Sequence, residues 1–325
     1  MTTIGLLGDV MLGRGVGQEL VDRSPEDLWD PALRELCAGL DLVVCNLECC
    51  LSDRGRPTQL IAGKPFFFRG PPGAVGALTA MRVGAVSLAN NHALDFGAEA
   101  LADTVQTLDA AGIAAVGAGR GEQEARRYAV AAAGATRVGL VAACDHPAEY
   151  AAAGARWGVA YSALRHGVPD WLVAVIAAAR ERCDRVIAFP HWGPNMTTEP
   201  AGWQRRAAAE LQAAGADLVA GHSAHLFHGV VITARGPLLF DLGDALDDYR
   251  VDPVRRNDLG LLALWQPERG EDQLELVGLR LQYALTRPAA GADADWIARR
   301  LERACRHLGS SVERRDENRF AIGPA

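Results

Sequence analysis

Residues 83–97 read VGAVSLANNHALDFG, and the change of character within this stretch decides the fold. Its first seven residues are apolar or small, the pattern of a buried strand. It then gives way to Asn90, Asn91, His92 and, one helical turn on, Asp95. A helix cap uses one such residue and does not need all four. Their position at the carboxyl end of a strand points to a site.

Other segments repeat the placement. TIGLLGD (3–9) ends in Asp9, and LDLVVCNLE (40–48) ends in Asn46 and Glu48. RVIAFPHWG (185–193) carries His191, and DLVAGH (217–222) ends in His222, with His225 just beyond. TRVGLVAAC (136–144) is a further strand. Apolar positions at helical spacing fall between these runs, over 98–111, 171–183 and 203–215. Alternating strand and helix indicate an α/β sandwich. Open α/β sheets bind ligands outside the carboxyl ends of their strands, so a parallel arrangement brings all these polar groups to one rim.

Beyond residue 222 the pattern changes. GVVITA, GPLLFDLGD, LGLLALWQ and QLELVGLRLQ are closely spaced strands suited to antiparallel pairing. A charged helix follows at DADWIARRLERACRHLG (293–309). The expected organisation is one domain over 1–325, with 286–325 as a C-terminal accessory helical extension.

Composition narrows the function. With 49% hydrophobic and 22% charged residues over 325 positions, the chain buries a full core. A net charge of −7 argues against non-specific binding to nucleic acid, whose phosphates need basic surface. No apolar run reaches the roughly 20 residues of a membrane span. The N-terminal MTTIGLLGDVML has no Lys or Arg before a short apolar stretch, and reads as a first strand rather than a signal peptide. Seven cysteines with no CxxC pair, and Cys49 next to Cys50, suggest reduced thiols in a cytoplasmic protein.

The rim residues have the chemistry of metal ligands. Asp9 and Glu48 offer anionic oxygens, Asn91 an amide oxygen, and His191, His222 and His225 imidazole nitrogens. This mixed set suits Zn, Mn or Fe rather than an all-oxygen calcium cage. Two carboxylates with several neutral ligands can hold two cations roughly 3.5–4 Å apart, a clamp for in-line displacement. His92, next to Asn91, is placed to move a proton, and Asp95 to fix its tautomer and raise its pKa. Arg14, in a Gly-flanked turn, either meets an anionic substrate or is a surface arginine. Lys64 and Arg69 flank KPFFFR, whose aromatics read as core or rim packing. Asp244, in FDLGDALDDYR, borders the pocket without a ligand role. His146 and His228 are read as supporting or surface groups, and His166 has no motif around it.

GDVMLGR, CNLE, SLANNHALDFG, FPHWG and AGADLVAGHSAHLFHG are similar, in order and spacing, to the capsule-biosynthesis CapA family of poly-γ-glutamate synthesis proteins. The resemblance runs from about residue 3 to about residue 265. That family resembles the calcineurin-like metallophosphoesterases, which implies a four-layer α/β/β/α sandwich and a two-metal site. By this likeness Asp9 resembles a ligand of the first metal and Glu48 the bridging carboxylate. Asn91, His191 and His222 resemble ligands of the second metal, His92 the catalytic acid, and His225 the last histidine of the closing motif. Two positions depart: Met11 stands where phosphoesterases carry a histidine, and GHSAH has one residue more than GHxH. The resemblance implies a hydrolase using two divalent ions, with a metal-activated hydroxide attacking a phosphoryl or acyl centre. Its substrate would be an anionic small molecule or a γ-glutamyl peptide. The alternative is a non-catalytic accessory factor in capsule synthesis that binds an anionic polymer or a synthetase.

Overall fold

A computed structural model describes residues 1–324. The chain opens with β1 (Ile4–Val10), β2 (Leu42–Leu47), β3 (Val83–Ser87) and β4 (Ala114–Val116), paired side by side and parallel. Every residue of β1 and β2 is buried, as expected where both faces of a parallel sheet are covered. The middle of the chain builds a second sheet. It comprises β5 (Ala129–Ala133), β6 (Thr136–Cys144), β7 (Arg185–His191), β8 (Leu218–Ala220), β9 (Val230–Thr233) and β10 (Gly236–Leu239). The order across it is β9-β10-β8-β7-β6-β5. The chain then returns to the first sheet with β11 (Asp244–Leu246), β12 (Leu259–Trp265), β13 (Leu274–Gln282) and β14 (Leu285–Pro288).

The two sheets pack face to face, and the alternation along the second sheet shows why. Leu140, Ile187, Phe189 and Leu218 share one core with Ile4 and Leu6 of β1. Their neighbours Val141, Val186, Ala188 and Val219 point the other way, onto helices α4 (Asp170–Arg182) and α5 (Gly202–Ala214), among Leu172, Ile176 and Leu211. A period of two puts successive side chains on opposite faces, and each fully buried Leu, Ile or Phe contributes about 1.5–3 kcal/mol. On the first sheet's outer side α1 (Pro31–Ala38), α2 (Val75–Ala80) and α3 (Gly97–Ala110) contribute Leu33, Cys37, Leu78, Leu101 and Leu108. The architecture is the expected four-layer α/β/β/α sandwich.

The late strands divide between the sheets. β9 and β10 form an antiparallel pair at the edge of the second sheet. β12 and β13 pair antiparallel in the first, where β12 also runs antiparallel to β1. The stretch GPLLFDLGD is two strands. Asp241 accepts the Gly243 N–H at 2.8 Å, and Gly243 takes φ +72°, turning the chain from one sheet to the other.

The C-terminal segment differs from the helical extension expected for 286–325. Helix α6 (Ala292–His307) is present, but β15 (Ser310–Asp316) and β16 (Arg319–Pro324) follow as a hairpin, and β16 pairs with β13. The segment therefore widens the main sheet. Phe320 and Ile322 are buried, while the run Glu313 to Asp316 is exposed. Charges along an edge strand mask the period-two signal. Ala325 lies outside the described residues. All seven cysteines are buried and unbridged. No described helix is long and apolar enough to cross a membrane.

Candidate metal centre

Parallel pairing brings the polar strand ends to one rim. Asp9 pairs with Asn46 across β1 and β2, and Asn46 with Ser87 across β2 and β3. Asn46 Nδ2 donates to Asp9 Oδ1 at 2.7 Å. Asn90 Nδ2 donates to Asn46 Oδ1 and to the Leu47 carbonyl, and Asn90 Oδ1 accepts the His92 N–H. Asn90 thus braces the rim and leaves Asn91 and His92 free for other roles.

The facing sheet supplies the imidazoles. His191 ends β7 and forms an isolated parallel bridge with His222. Gly221 precedes His222 because a Cβ there would lie 2.3 Å from the Phe240 carbonyl oxygen. The Nδ1 atoms of His191 and His222 stand 2.8 Å apart. Two ring nitrogens approach so closely when one donates a proton to the other or both face a shared cation. His222 Nδ1 is 3.6 Å from Asp9 Oδ1.

The extra residue of GHSAH is absorbed locally. Ser223 and His225 both adopt positive φ, +117° and +57°. Asp241 Oδ2 accepts the Ala224 N–H, and Ser223 Oγ donates to the Gly193 carbonyl. His225 therefore still reaches the rim, with Nδ1 at 3.6 Å from Asp9 Oδ2, 4.0 Å from Glu48 Oε2 and 2.8 Å from Asp244 Oδ1. Met11 is buried and turned aside, its sulfur accepting the Gly13 N–H.

Two groups of metal-ligand geometry result: Asp9 with His191 and His222, and Asp9 with Glu48, His225 and Asp244. Asp9 is common to both groups, and Glu48, the bridging carboxylate the family resemblance implies, belongs to the second. Asp244, expected only to border the pocket, lies within the second group. β11 pairs parallel with β1, setting Asp244 opposite Asp9, and Gly8 permits the approach because a Cβ would meet the Gly243 carbonyl. That long-range pairing leaves no local trace in a run containing four aspartates.

The donor set fits divalent cations. Asp9 Oδ2, both Glu48 oxygens, Asn91 Oδ1, Asp244 Oδ2 and the Nε2 atoms of His191 and His222 are buried with no hydrogen-bond partner. Buried polar atoms left unpaired are costly, and converging ones imply something that pairs them. Burial raises the Asp9 carboxyl to about 7, with His225 opposing. Burial, then the Asp9 charge, holds Glu48 well above the carboxylate range. Burial depresses His222 to about 3 and, with His222 beside it, His191 well below its ordinary value. Burial also opposes charge on His225, but Asp244 and then Glu48 outweigh it and hold the imidazole well above its usual range.

His92 sits beside this cluster. Its Nδ1 lies 2.6 Å from Asp95 Oδ2, and its ring stacks on Phe68 at 3.9 Å. Asp95 orients it, as expected, but the expected net rise in pKa does not follow. Burial lowers His92 to about 4 despite Asp95, and Lys64 lowers it further. Arg14 stands apart from the cluster, with Nε 3.4 Å from Asp248 Oδ2 and its guanidinium 5.5 Å from the Phe68 ring centroid.

Three cavities meet over the rim. One of 260 Å³ is lined by Arg14, Phe66, His92, His225, Tyr249 and Arg250. One of 430 Å³ carries Lys64, Asn91, His92 and His146, and one of 550 Å³ carries Asp145, His146, Arg165, His166 and Trp203. Asn195 lines all three, so the cavities border one another at the rim. His146 is held by Asp145 and its ring centroid lies 5.3 Å from that of His191, closer to the site than sequence suggested. His228 donates from Nε2 to the Thr197 carbonyl and takes no part.

The chain is similar to known proteins along its whole length. It is 33% identical to a probable polyglutamine synthesis accessory protein of Mycobacterium tuberculosis, covering 100% of this chain and 97% of that protein. It is 25% identical to the capsule biosynthesis protein CapA of Bacillus anthracis, covering 92% of this chain and 72% of that one. A hypothetical protein of Thermus thermophilus with a known structure aligns over 89% of this chain and 96% of its own, at 15% identity and a TM-score of 0.45. Residues 3–249 match the family model of the bacterial capsule synthesis protein PGA_cap, and the chain belongs to that family.

Proposed function

We propose that the protein is a metal-dependent hydrolase of capsule or polyglutamate synthesis, cleaving a phosphoryl or acyl centre of an anionic, chain-like substrate. The observation that carries this reading is the convergence of buried, partnerless donors beside an oriented histidine. Asp9, Glu48, His225 and Asp244 would hold one divalent ion, and Asp9, His191 and His222 a second, with Asn91 offering its amide oxygen. When bound, such ions polarise the scissile group and supply a nucleophile at neutral pH.

The protein's own groups do the rest. Asp95 fixes the Nδ1–H tautomer of His92, leaving Nε2 for the cleft. His92 enters uncharged, and an anionic group bound next to it favours its protonated form. It can then protonate the leaving oxygen or nitrogen. Phe66, Phe68 and Tyr249 wall one cavity beside Arg14. Arg250 and Arg165 line two neighbouring cavities, and neither has a carboxylate partner among the described residues. A monoanion would occupy little of this space, whereas an extended polyanion engages both arginines.

The test is elemental analysis of the purified protein, followed by Mn²⁺ or Zn²⁺ loading and assay on phosphoesters and γ-glutamyl oligomers. Hydrolysis that vanishes with chelator is the expected result. Bound metal without turnover on either class would refute it. The accessory reading is favoured by the name of the mycobacterial relative and by Met11. Its expected signature is oligomer binding with no cleavage.

A further inference from the structure

The loop of residues 54–67 lies over the cleft and has few ties of its own. Arg54 pairs with Asp103 at its base, and Arg69 Nη1 donates to the Arg54 carbonyl at 2.8 Å. Farther along, Leu60 and Phe66 are 47% and 57% exposed. Lys64 breaks this pattern, its side chain being only 8% exposed. Its Nζ donates to the Asn91 carbonyl at 2.7 Å and lies 3.0 Å from Asp95 Oδ1. It also sits 5.4 Å from the Tyr150 ring centroid. Tyr150 Oη donates to the same Asp95 oxygen at 3.0 Å. The other Asp95 oxygen faces His92 Nδ1 and accepts the Phe68 N–H at 2.7 Å, and the Asp95 carbonyl accepts the Thr58 N–H at 2.8 Å.

The geometry points to Lys64 as the positioning residue of the site: one buried ammonium fixes the backbone of Asn91 and the carboxylate that orients His92, and in doing so docks the loop over the cleft. A buried cation is stable only with such partners, and charge-assisted hydrogen bonds are about twice as strong as neutral ones. Asp95 in turn gathers Thr58 and Phe68, the two ends of the loop's covering stretch. Loop closure and His92 orientation therefore depend on one ion pair. The loop cannot lift without freeing Asp95, and the Asp95 carboxylate cannot turn without releasing Lys64 and the Phe68 N–H. This inference rests on the hydrolase reading for its catalytic half and on packing alone for its loop half.

The experiment compares wild type, Lys64→Met and Lys64→Arg, each metal-loaded. Turnover and hydrogen exchange at single amides are read together. In Lys64→Met, exchange at Thr58 and Phe68 should accelerate about ten-fold or more, as expected for losing a hydrogen-bonded charge, while amides of α4 in the opposite layer stay unchanged. Metal content should stay constant. The kcat on a cleaved substrate should fall about 100-fold, the scale of a misplaced catalytic group, with KM little altered. Lys64→Arg, which keeps the cation, should recover part of kcat and most of the protection. Unchanged exchange at both amides in Lys64→Met, or unchanged kcat in an active background, overturns the assignment. If wild type itself shows no turnover, the hydrolase reading falls and the exchange data alone decide the clamp.

Discussion

Two histidine–aspartate pairs lie at the rim, and they behave in opposite ways. His92 with Asp95 and His225 with Asp244 have similar spacings, 2.6 and 2.8 Å, and His92 is buried while His225 is only slightly exposed. Yet His92 is pushed down to about 4, whereas His225 is held well above its ordinary value. The difference lies around the carboxylates. Asp95 is already engaged by Lys64, Tyr150 and the Phe68 N–H. Asp244 keeps one oxygen without a partner, and Glu48 and Asp9 crowd the same histidine. A carboxylate raises a neighbouring imidazole most when its charge is not already balanced. The His92 region is electrically complete within the protein; the His225 region crowds three carboxyl groups whose ionised forms a cation would stabilise.

The contrast can be broken most severely at Asp9. Asp9→Asn removes the carboxylate common to both groups, so metal content should drop to background and hydrolysis by about 10³-fold or more. Retention of metal would mean the two groups are not a shared centre. His92→Ala should leave metal content intact while kcat falls by about 10²–10⁴-fold, the range for a lost acid–base group. Metal loss in that variant would erase the distinction between the regions. Asp244→Asn should weaken metal affinity about 10–100-fold in a calorimetric titration, and wild-type affinity would return Asp244 to a bordering role.

Per pH unit and per proton, the smallest effect concerns pH. Asp9, raised to about 7 without metal, and His225, held well above its ordinary value, carry protons that a cation must displace. Affinity should therefore rise with pH and fall about ten-fold per unit below pH 7 for each proton displaced. Titrations in buffers of different ionisation enthalpy should detect protons released on binding. Affinity flat between about pH 5.5 and 7 would contradict the charge assigned to the His225 region.

Much of this geometry is legible in the sequence because parallel strands bury both faces and end in polar residues. The run Thr136–Cys144 stands out by its apolar continuity, and β7 ends on the expected His191. Asp9, Glu48, His191, His222 and His225 come together as their strand-end positions suggest. Asp244 and Lys64 could not be found this way. Asp244 depends on the pairing of β11 with β1, a strand near the opposite end of the chain, and Lys64 on the path of an irregular loop. The β15–β16 hairpin is hidden for a different reason, since its edge strand carries charge on successive residues. The lowered His92 pKa is also beyond sequence, because burial and the nearness of Lys64 are tertiary facts.

The two sheets contribute to the rim unequally: Asp9, Glu48, Asn91 and Asp244 come from one, and His191, His222 and His225 from the other. Apart from the crossing segments and the contact of His225 with Asp244, apolar packing is what joins the layers there. A cation gripped by both sides would act as a rivet through that seam. Stripping it should let the halves breathe along their shared mouth before either layer melts, so the empty protein would be looser at its opening than in its interior.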